Sequence, residues 1–173
     1  MTIDAFSMHC PHPYFDTRDG ELLVGGRRIS EIATDIGGTP FYAYDRSVMN
    51  RKIAELRRAL PDGVHVHYAL KANPMPSIVH NFRGLVDGMD VASAGELEVA
   101  LESGMPPERI SFAGPGKRLS ELERAVAAGV TINLESATEM RRIAGIAHRT
   151  AKRPRVAIRV NPEFEVKSSG MKM

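Results

Sequence analysis

The sequence contains a single cysteine, Cys10, and no tryptophan. Because one cysteine cannot form an intrachain disulfide, a disulfide-stabilised secreted scaffold is excluded, and we predict a reducing compartment, the cytoplasm. No run of residues approaches the roughly 20 apolar side chains that cross a bilayer, and the first residues lack the basic and then apolar pattern of a signal peptide. We therefore expect no membrane partner.

An excess of either charge is also absent. The 173 residues include 23 lysines and arginines against 21 aspartates and glutamates, a net charge of +2, and the two signs are interspersed. No basic stripe marks a nucleic-acid surface, so we expect no nucleic-acid partner. Hydrophobic residues make up 43% of the sequence and charged residues 25%, which is typical of a globular protein and argues against a disordered chain.

From Val64 onward the sequence has a repeating pattern of apolar strand and helix. Strand candidates begin near Val64, Leu85, Arg109, Val130 and Arg155, at intervals of about 21 to 25 residues, and a helical segment follows each of the first four. Short apolar strands that alternate with helices predict a parallel sheet covered by helices. Such a sheet is either open and doubly wound or part of a closed barrel.

The length of the chain favours the second arrangement. A complete (β/α)8 barrel takes roughly 250 residues, whereas this sequence stops soon after its fifth strand, "RVAIRV", with no helix to cover that strand. We predict an α/β protein that forms part of a TIM barrel, about five of its eight βα units, over residues 46–173. The chain is expected to be a truncated, N-terminal fragment.

Three of the predicted helices open on the same local motif. Residues 93–96, 120–123 and 136–139 each read S-x-x-E, the capping box in which a serine and a glutamate satisfy free N–H groups at a helix start. Each glutamate also lies at the positive end of the helix dipole. We therefore place helix starts at Ser93, Ser120 and Ser136.

Residues 1–45 follow a different pattern. An apolar piece, Leu22 to Val24, leads into a Gly25-Gly26 turn, a helix is predicted from Ser30, and "PFYAYD" at residues 40–45 reads as a strand. Asp45 is expected to cap the helix that follows, because an aspartate at that position accepts hydrogen bonds from the first free N–H groups.

Lys71, in "YALKANP", directly follows the first strand of the repeat. Most lysines are solvated surface residues, and position alone leaves that interpretation open. In a barrel, however, this lysine would lie at the carboxyl ends of the strands, where barrel enzymes keep their catalytic groups. Burial there would favour the neutral, nucleophilic amine that Schiff-base chemistry needs.

Three motifs together resemble one enzyme family. "YALKANP", "DVASAGELE" about 20 residues later and "IRVNP" at the fifth strand are similar to the pyridoxal-phosphate-dependent decarboxylases of ornithine, diaminopimelate and arginine, which have the alanine-racemase-like fold. The final "SGMKM" resembles diaminopimelate-decarboxylase-like members associated with exosortase systems. The resemblance implies that residues 1–45 contribute strands to a second, β-rich domain.

The resemblance also assigns site residues. Lys71 matches the lysine that holds pyridoxal 5'-phosphate as a Schiff base, and Asp90 matches an acid near that cofactor. Arg159 matches a cofactor-contacting arginine, and its charge within an apolar strand independently indicates a paired interior role. Glu96 matches a glutamate near the site, but its S-x-x-E motif explains it equally well as a cap. Ala69, beside Lys71, is expected to shape the pocket.

Two further motifs have simpler interpretations. The loop "GPGK", residues 114–117, lacks the spacing of a Walker A phosphate loop and is predicted to be a plain βα turn, with Lys117 facing the mouth of the active site. Asn73 is read either as part of the lysine pocket or as a turn former. His65 and His67 would share one face of a strand, but no third metal ligand is evident, so barrel packing is favoured.

The resemblance implies a carboxy-lyase that removes the α-carboxylate of a basic or diamino amino acid, and a homodimer for the full-length protein. It places the phosphate-binding glycines, the residue stacking on the cofactor ring and its acidic partner beyond residue 173, so the chain alone is expected to be inactive. Two alternatives stay open. One is a non-catalytic barrel that binds and buffers the cofactor, and the other is an amino-acid racemase of the same fold.

Overall fold

The structure is a computed structural model, and it describes residues 14–160. Cys10 and the "SGMKM" motif lie outside the described residues. The chain divides into two compact units between Leu60 and Pro61. The domain boundary that we predicted from the sequence lies between residues 45 and 46. That boundary stays a prediction.

The first unit contains a small antiparallel sheet of three strands in the order β1-β2-β3. Val24 of β2 pairs with Arg27 of β3, so Gly25 and Gly26 form a two-residue hairpin turn in which both residues have positive φ angles, 61° and 78°. Glycine adopts this conformation without steric cost, which is why the turn forms here. The strands span Thr17–Arg18 (β1), Glu21–Val24 (β2) and Arg27–Arg28 (β3).

Two helices complete this unit, α1 (Ile29–Asp35) and α2 (Arg46–Ala59). The carboxylate of Asp45 accepts hydrogen bonds from the backbone N–H groups of Ser47 and Val48, at 2.7 and 3.4 Å. The predicted cap of α2 is therefore confirmed, because these two groups have no partner within the first helical turn.

The strand expected at residues 40–45 is wrong. These residues contain no strand, and the tyrosines Tyr42 and Tyr44 are 91% and 52% exposed. Their aromatic composition favours extended backbone, but a strand also needs a neighbouring strand for its hydrogen bonds. The described part of the chain provides none for this segment.

The second unit is a five-stranded parallel sheet in the sequential order β4-β5-β6-β7-β8. Because parallel crossovers are right-handed, a sequential order places all the connecting helices on one face, as in a barrel and unlike a doubly wound sheet. The strands are β4 (His67–Ala69), β5 (Gly88–Val91), β6 (Ile110–Phe112), β7 (Thr131–Leu134) and β8 (Arg155–Ile158). The helices are α3 (Pro76–Arg83), α4 (Ala94–Glu102), α5 (Leu119–Ala128) and α6 (Ala137–Thr150).

The apolar core of this unit lies between the sheet and its helices. Alternate strand residues such as Met89, Ile110 and Phe112 are at most 1% exposed, and so are helix residues such as Leu97 and Leu122. The residues between them on the strands have the opposite character and face the concave side of the sheet, since strand side chains alternate. That concave face is polar, and it carries the candidate site.

The three predicted capping motifs have different outcomes. The Oγ atoms of Ser93 and Ser136 accept hydrogen bonds from the backbone N–H groups of the glutamates three residues later, both at 3.2 Å, as predicted. The prediction for Ser120 is wrong, because α5 begins at Leu119 with Arg118 as its N-cap residue. There Glu121 accepts from the N–H of Arg118 at 2.8 Å, so a glutamate two residues earlier than expected satisfies this helix start.

Among residues 14–160, no helix combines the length and apolarity needed to cross a membrane. The same range contains no group of three or more histidine, cysteine, aspartate or glutamate side chains arranged to hold a metal ion.

Candidate functional site

A cavity of about 180 Å³ opens at the carboxyl ends of strands β4 to β7. Four of the five residues predicted from the sequence, Ala69, Lys71, Asp90 and Glu96, line this cavity together. The carboxyl ends of parallel strands meet at one edge of the sheet, so side chains distant in sequence converge there. The remaining lining residues are Val91, Ala92, Ser111, Ala113 and Asn133.

The loop that carries Lys71 is fixed on both sides of the lysine. Leu70 is completely buried, and the hydroxyl of Tyr68 donates a hydrogen bond to the backbone carbonyl of Asn73 at 2.9 Å. The side-chain oxygen of Asn73 accepts from the backbone N–H of Met75 at 3.0 Å, just before α3 begins. Asn73 thus acts as a turn former, and the loop holds the base of the Lys71 side chain in place.

The Lys71 side chain itself is exposed, which corrects our expectation of a buried amine. No hydrogen bond or ion pair to it exists within the described part of the chain, although carboxylates of Asp90 and Glu96 line the same cavity. A primary amine that points into a polar cavity and is held by no protein partner is available to react with a carbonyl group.

Asp90 is held by polar side chains of both neighbouring strands. Its Oδ1 atom accepts a hydrogen bond from the hydroxyl of Ser111 on β6 at 2.5 Å and lies 3.2 Å from Nδ1 of His67 on β4. The register of the sheet produces this arrangement, because Asp90 pairs with Ala69 on one side and with Ser111 on the other. The Asp90 side chain also lines the cavity.

His67 reaches Asp90 because Gly88 lies beneath its ring. A Cβ atom on Gly88 would come within 2.5 Å of both the His67 ring and the backbone carbonyl of Arg109. Glycine is therefore required on β5 for this close approach. His65 and His67 both line a groove with Asp87 and Glu108 beside the amino-terminal ends of the strands.

Glu96 has both of the roles that the sequence left open. Its Oε2 atom accepts a hydrogen bond from the backbone N–H of Ala92 at 2.8 Å, one residue before the N-cap Ser93, so it helps to fix the start of α4. The same side chain lines the cavity beside Lys71. Because one carboxylate oxygen is occupied by Ala92, the other is the atom available to a ligand.

Arg159 is the predicted site residue that lies outside this cavity. It lines a separate groove with Leu134, Met140 and Ile158, and its Nε atom is 3.7 Å from Oε2 of Glu135. The Glu135 side chain is only 4% exposed, so the guanidinium compensates a buried carboxylate. Among the described residues, Arg159 therefore has an ion-pair partner, Glu135.

Lys117 corrects a second expectation. The loop at residues 114–117 is a βα turn, as predicted, but the ammonium of Lys117 faces away from the mouth of the cavity and its side chain is only 1% exposed. It donates hydrogen bonds to the carbonyls of Gly114 and Asn133 and forms an ion pair with Glu139.

Two cavity residues, Ser111 and Asn133, were not singled out from the sequence. Each is a polar residue between apolar neighbours on a strand, "ISF" and "INL", and that alternation is the signal that could have found them. Charged residues at the strand ends give a stronger sequence signal than a serine or an asparagine within a strand.

A sequential parallel sheet with helices on one face and a free lysine amine among carboxylates at its carboxyl edge defines a class of protein, the β/α barrel that binds a carbonyl compound through lysine. Comparison with known proteins gives the family. Residues 46–172 match the pyridoxal-binding domain of the pyridoxal-dependent decarboxylases. The chain belongs to this family, and the recognition and the partial barrel predicted from the sequence are confirmed.

Individual relatives agree with this assignment. A diaminopimelate decarboxylase of Aquifex aeolicus is 40% identical over 91% of this chain and 37% of its own length. An L-glutamyl-[BtrI acyl-carrier protein] decarboxylase of Niallia circulans is 40% identical over 78% of this chain and 32% of its own length. The solved structure of Helicobacter pylori diaminopimelate decarboxylase with L-lysine superposes with a TM-score of 0.71 at 34% identity, covering 80% of this chain and 36% of that one. The chain thus spans about a third of these relatives.

Proposed function

We propose that the protein removes the α-carboxyl group of a diamino or basic amino acid, with diaminopimelate as the first candidate, and that it uses pyridoxal 5'-phosphate to do so. The observation that carries this proposal is the free amine of Lys71 inside a cavity that also contains the fixed carboxylate of Asp90. Family membership supplies the reaction class, and the names of the relatives supply the substrate class.

The residues present fit this cofactor. Pyridoxal phosphate presents an aldehyde, for which the unpaired Lys71 amine is the matching nucleophile. Ser111 and Asn133 provide neutral polar residues of the cavity lining, and Asp90 and Glu96 provide two carboxylates. When bound, the cofactor supplies a conjugated ring that accepts the electron pair left by the departing carbon dioxide.

The chain's own residues have distinct roles in this proposal. Lys71 would hold the aldehyde carbon of the cofactor, and its amine, when not bound to the cofactor, would be able to carry a proton. Asp90, held by Ser111 and His67, provides a fixed negative charge on the cavity wall. Ala69 is small and leaves room beside Lys71 for the ligand. We also propose Arg159 as a cofactor contact, which requires its guanidinium to move away from Glu135.

The substrate is less constrained than the reaction. Two relatives of equal identity to this chain are named for different substrates, diaminopimelate and an acyl-carrier-bound glutamate. The part of the sequence that matches these relatives therefore does not distinguish the two substrates. We further propose a cytoplasmic homodimer, on the basis of the family resemblance and the single cysteine, and the exosortase association stays a prediction.

Absorbance titration with pyridoxal phosphate tests the first step. The protein as encoded by its gene is titrated alongside Lys71→Ala and a matched control, Lys152→Ala, whose amine donates to the carbonyl of Ala127. We expect the absorbance band of covalently bound cofactor in the wild type and in the control, and its loss in Lys71→Ala.

Release of carbon dioxide from diaminopimelate, lysine, ornithine and arginine tests the second step. A wild type that shows no band would contradict the proposal. A band without carbon dioxide release from any of these amino acids would instead favour the racemase or the cofactor-buffering protein, and interconversion of amino-acid enantiomers separates those two.

A further inference from the structure

Lys117 is an ammonium group buried beside the cavity that the proposed reaction does not use. Its Nζ atom donates to the backbone carbonyl of Gly114 at 2.6 Å, to that of Asn133 at 2.9 Å and to Oε1 of Glu139 at 2.9 Å. The Lys117 and Glu139 side chains are 1% and 6% exposed. Three acceptors from three different segments therefore saturate one buried donor group.

One of these acceptor residues lines the cavity, and a second directly follows a residue that does. Asn133 lines the cavity directly, and Gly114 follows Ala113, which lines it as well. Gly114 has a φ angle of 127°, a conformation that only glycine adopts readily, and its N–H donates to the buried carboxylate of Glu135 at 2.9 Å. The intrinsically flexible glycine is thus held through both its N–H and its carbonyl.

Glu139 extends the connection to α6. Its Oε2 atom accepts from the backbone N–H of Glu135 at 3.0 Å, while its own N–H donates to the hydroxyl of Ser136. Lys117 and Glu139 together join the loop after β6, the strand β7 and the first turn of α6. These are the segments that place Ala113 and Asn133 relative to each other.

Stability alone does not account for such a pair. Removing two charges from water is costly, and an apolar pair of similar volume is often at least as stabilising as a buried ion pair. What an apolar pair cannot do is donate three hydrogen bonds to fixed carbonyl and carboxylate oxygens. The Lys117–Glu139 pair therefore fixes the positions of the three segments that it joins.

We propose that Lys117 is a positioning residue of the cofactor cavity, which holds Ala113 and Asn133 in place in the cavity that would take pyridoxal phosphate. This inference rests on the proposed function. Lys117 acts through the backbone of Gly114 and Asn133 and does not itself reach the ligand.

The test separates position from stability with two variants. The double variant Lys117→Met/Glu139→Gln removes both charges at nearly constant volume but also removes the donor to the carbonyls of Gly114 and Asn133. We therefore expect a folded protein of lower stability than the wild type and at least a tenfold increase in the dissociation constant of pyridoxal phosphate. Glu139→Gln alone keeps Lys117 on its two carbonyls but leaves its charge uncompensated. We expect it to lower the melting temperature while changing the dissociation constant less than twofold.

The matched control is an exposed ion pair between α4 and α5. Arg124→Met/Glu98→Gln removes two hydrogen bonds of 2.5 and 2.7 Å on the outer surface and should leave the dissociation constant unchanged. Hydrogen exchange of the wild type, with and without pyridoxal phosphate, provides a measurement that needs no variant. Binding is expected to slow exchange at the backbone N–H groups of Ala113, Gly114 and Asn133.

The outcomes distinguish this inference from the proposed function. A wild type that does not bind pyridoxal phosphate overturns both. A wild type that binds, with a double variant that is folded and binds equally well, overturns the positioning role alone. Unchanged exchange at Ala113, Gly114 and Asn133 upon binding overturns it as well, whether or not the variants fold.

Discussion

Replacing Gly88 by alanine tests how the sheet brings His67 onto Asp90. The added Cβ atom would lie 2.5 Å from the carbonyl oxygen of Arg109 and 2.5 Å from Cε1 of His67. The His67 ring can rotate away, but the Arg109 carbonyl is backbone of the loop entering β6 and cannot move without displacing the sheet. The clash with the Arg109 carbonyl therefore cannot be relieved by a side-chain rotation alone.

The expected cost follows from overpacking of a well-packed interior, about 1 to 3 kcal/mol. With a urea dependence of about 2 kcal/mol per molar, a loss of about 2 kcal/mol lowers the unfolding midpoint by about 1 M. Because the His67 ring must leave its place, the variant should also lose the contact between His67 and Asp90. Urea unfolding measures the first effect, and NMR of the His67 ring measures the second.

Gly84→Ala is the matched control, since a Cβ atom there meets no heavy atom within 4 Å and Gly84 does not require a positive φ angle. Its unfolding midpoint should equal or exceed that of the wild type, because alanine restricts the unfolded chain. A Gly88→Ala variant as stable as Gly84→Ala, with an unchanged His67 ring, would refute the packing described for β4 and β5.

Two further predictions concern the helix starts. Ser93→Ala removes an observed cap and should cost about 1 kcal/mol in urea unfolding, whereas Ser120→Ala should change stability by less than about 0.5 kcal/mol; equal losses would contradict the placement of α5. The N–H groups of Arg118 and, more weakly, Ala94 hold the pKa of Glu121 below its ordinary value of 4.5 against the effect of burial. The stabilisation from the Glu121 carboxylate is complete above pH 4.5 and is lost as the pH falls through the folded pKa of Glu121. The difference in unfolding free energy between wild type and Glu121→Gln should therefore shrink from about pH 6 to about pH 3. A difference that stays constant over this range would contradict the lowered pKa.

Local sequence signals predicted the barrel units and much of the site. Strand spacing located β4 to β8, and the position of Lys71 after an apolar strand placed it at the carboxyl edge. These inferences succeed because each depends on residues near each other in sequence. The caps at Ser93 and Ser136 were found for the same reason.

Features that depend on distant partners were missed. Lys117 was expected at the cavity mouth because the acceptor that buries it, Glu139, lies 22 residues later and belongs to another helix. The segment at residues 40–45 has strand-like composition but no strand to pair with among the described residues. Arg159 as a cofactor contact stays a prediction, and its partner among the described residues, Glu135, lies just after the neighbouring strand β7.

The central claim is that Lys71 is the residue that binds pyridoxal. The protein as encoded by its gene is incubated with pyridoxal phosphate, reduced with borohydride, digested and mapped by mass spectrometry. The account predicts one stoichiometric pyridoxyl adduct, on the peptide that contains Lys71, with Lys117 and Lys152 unmodified. An adduct spread over exposed lysines, or located on a lysine other than Lys71, would contradict the account.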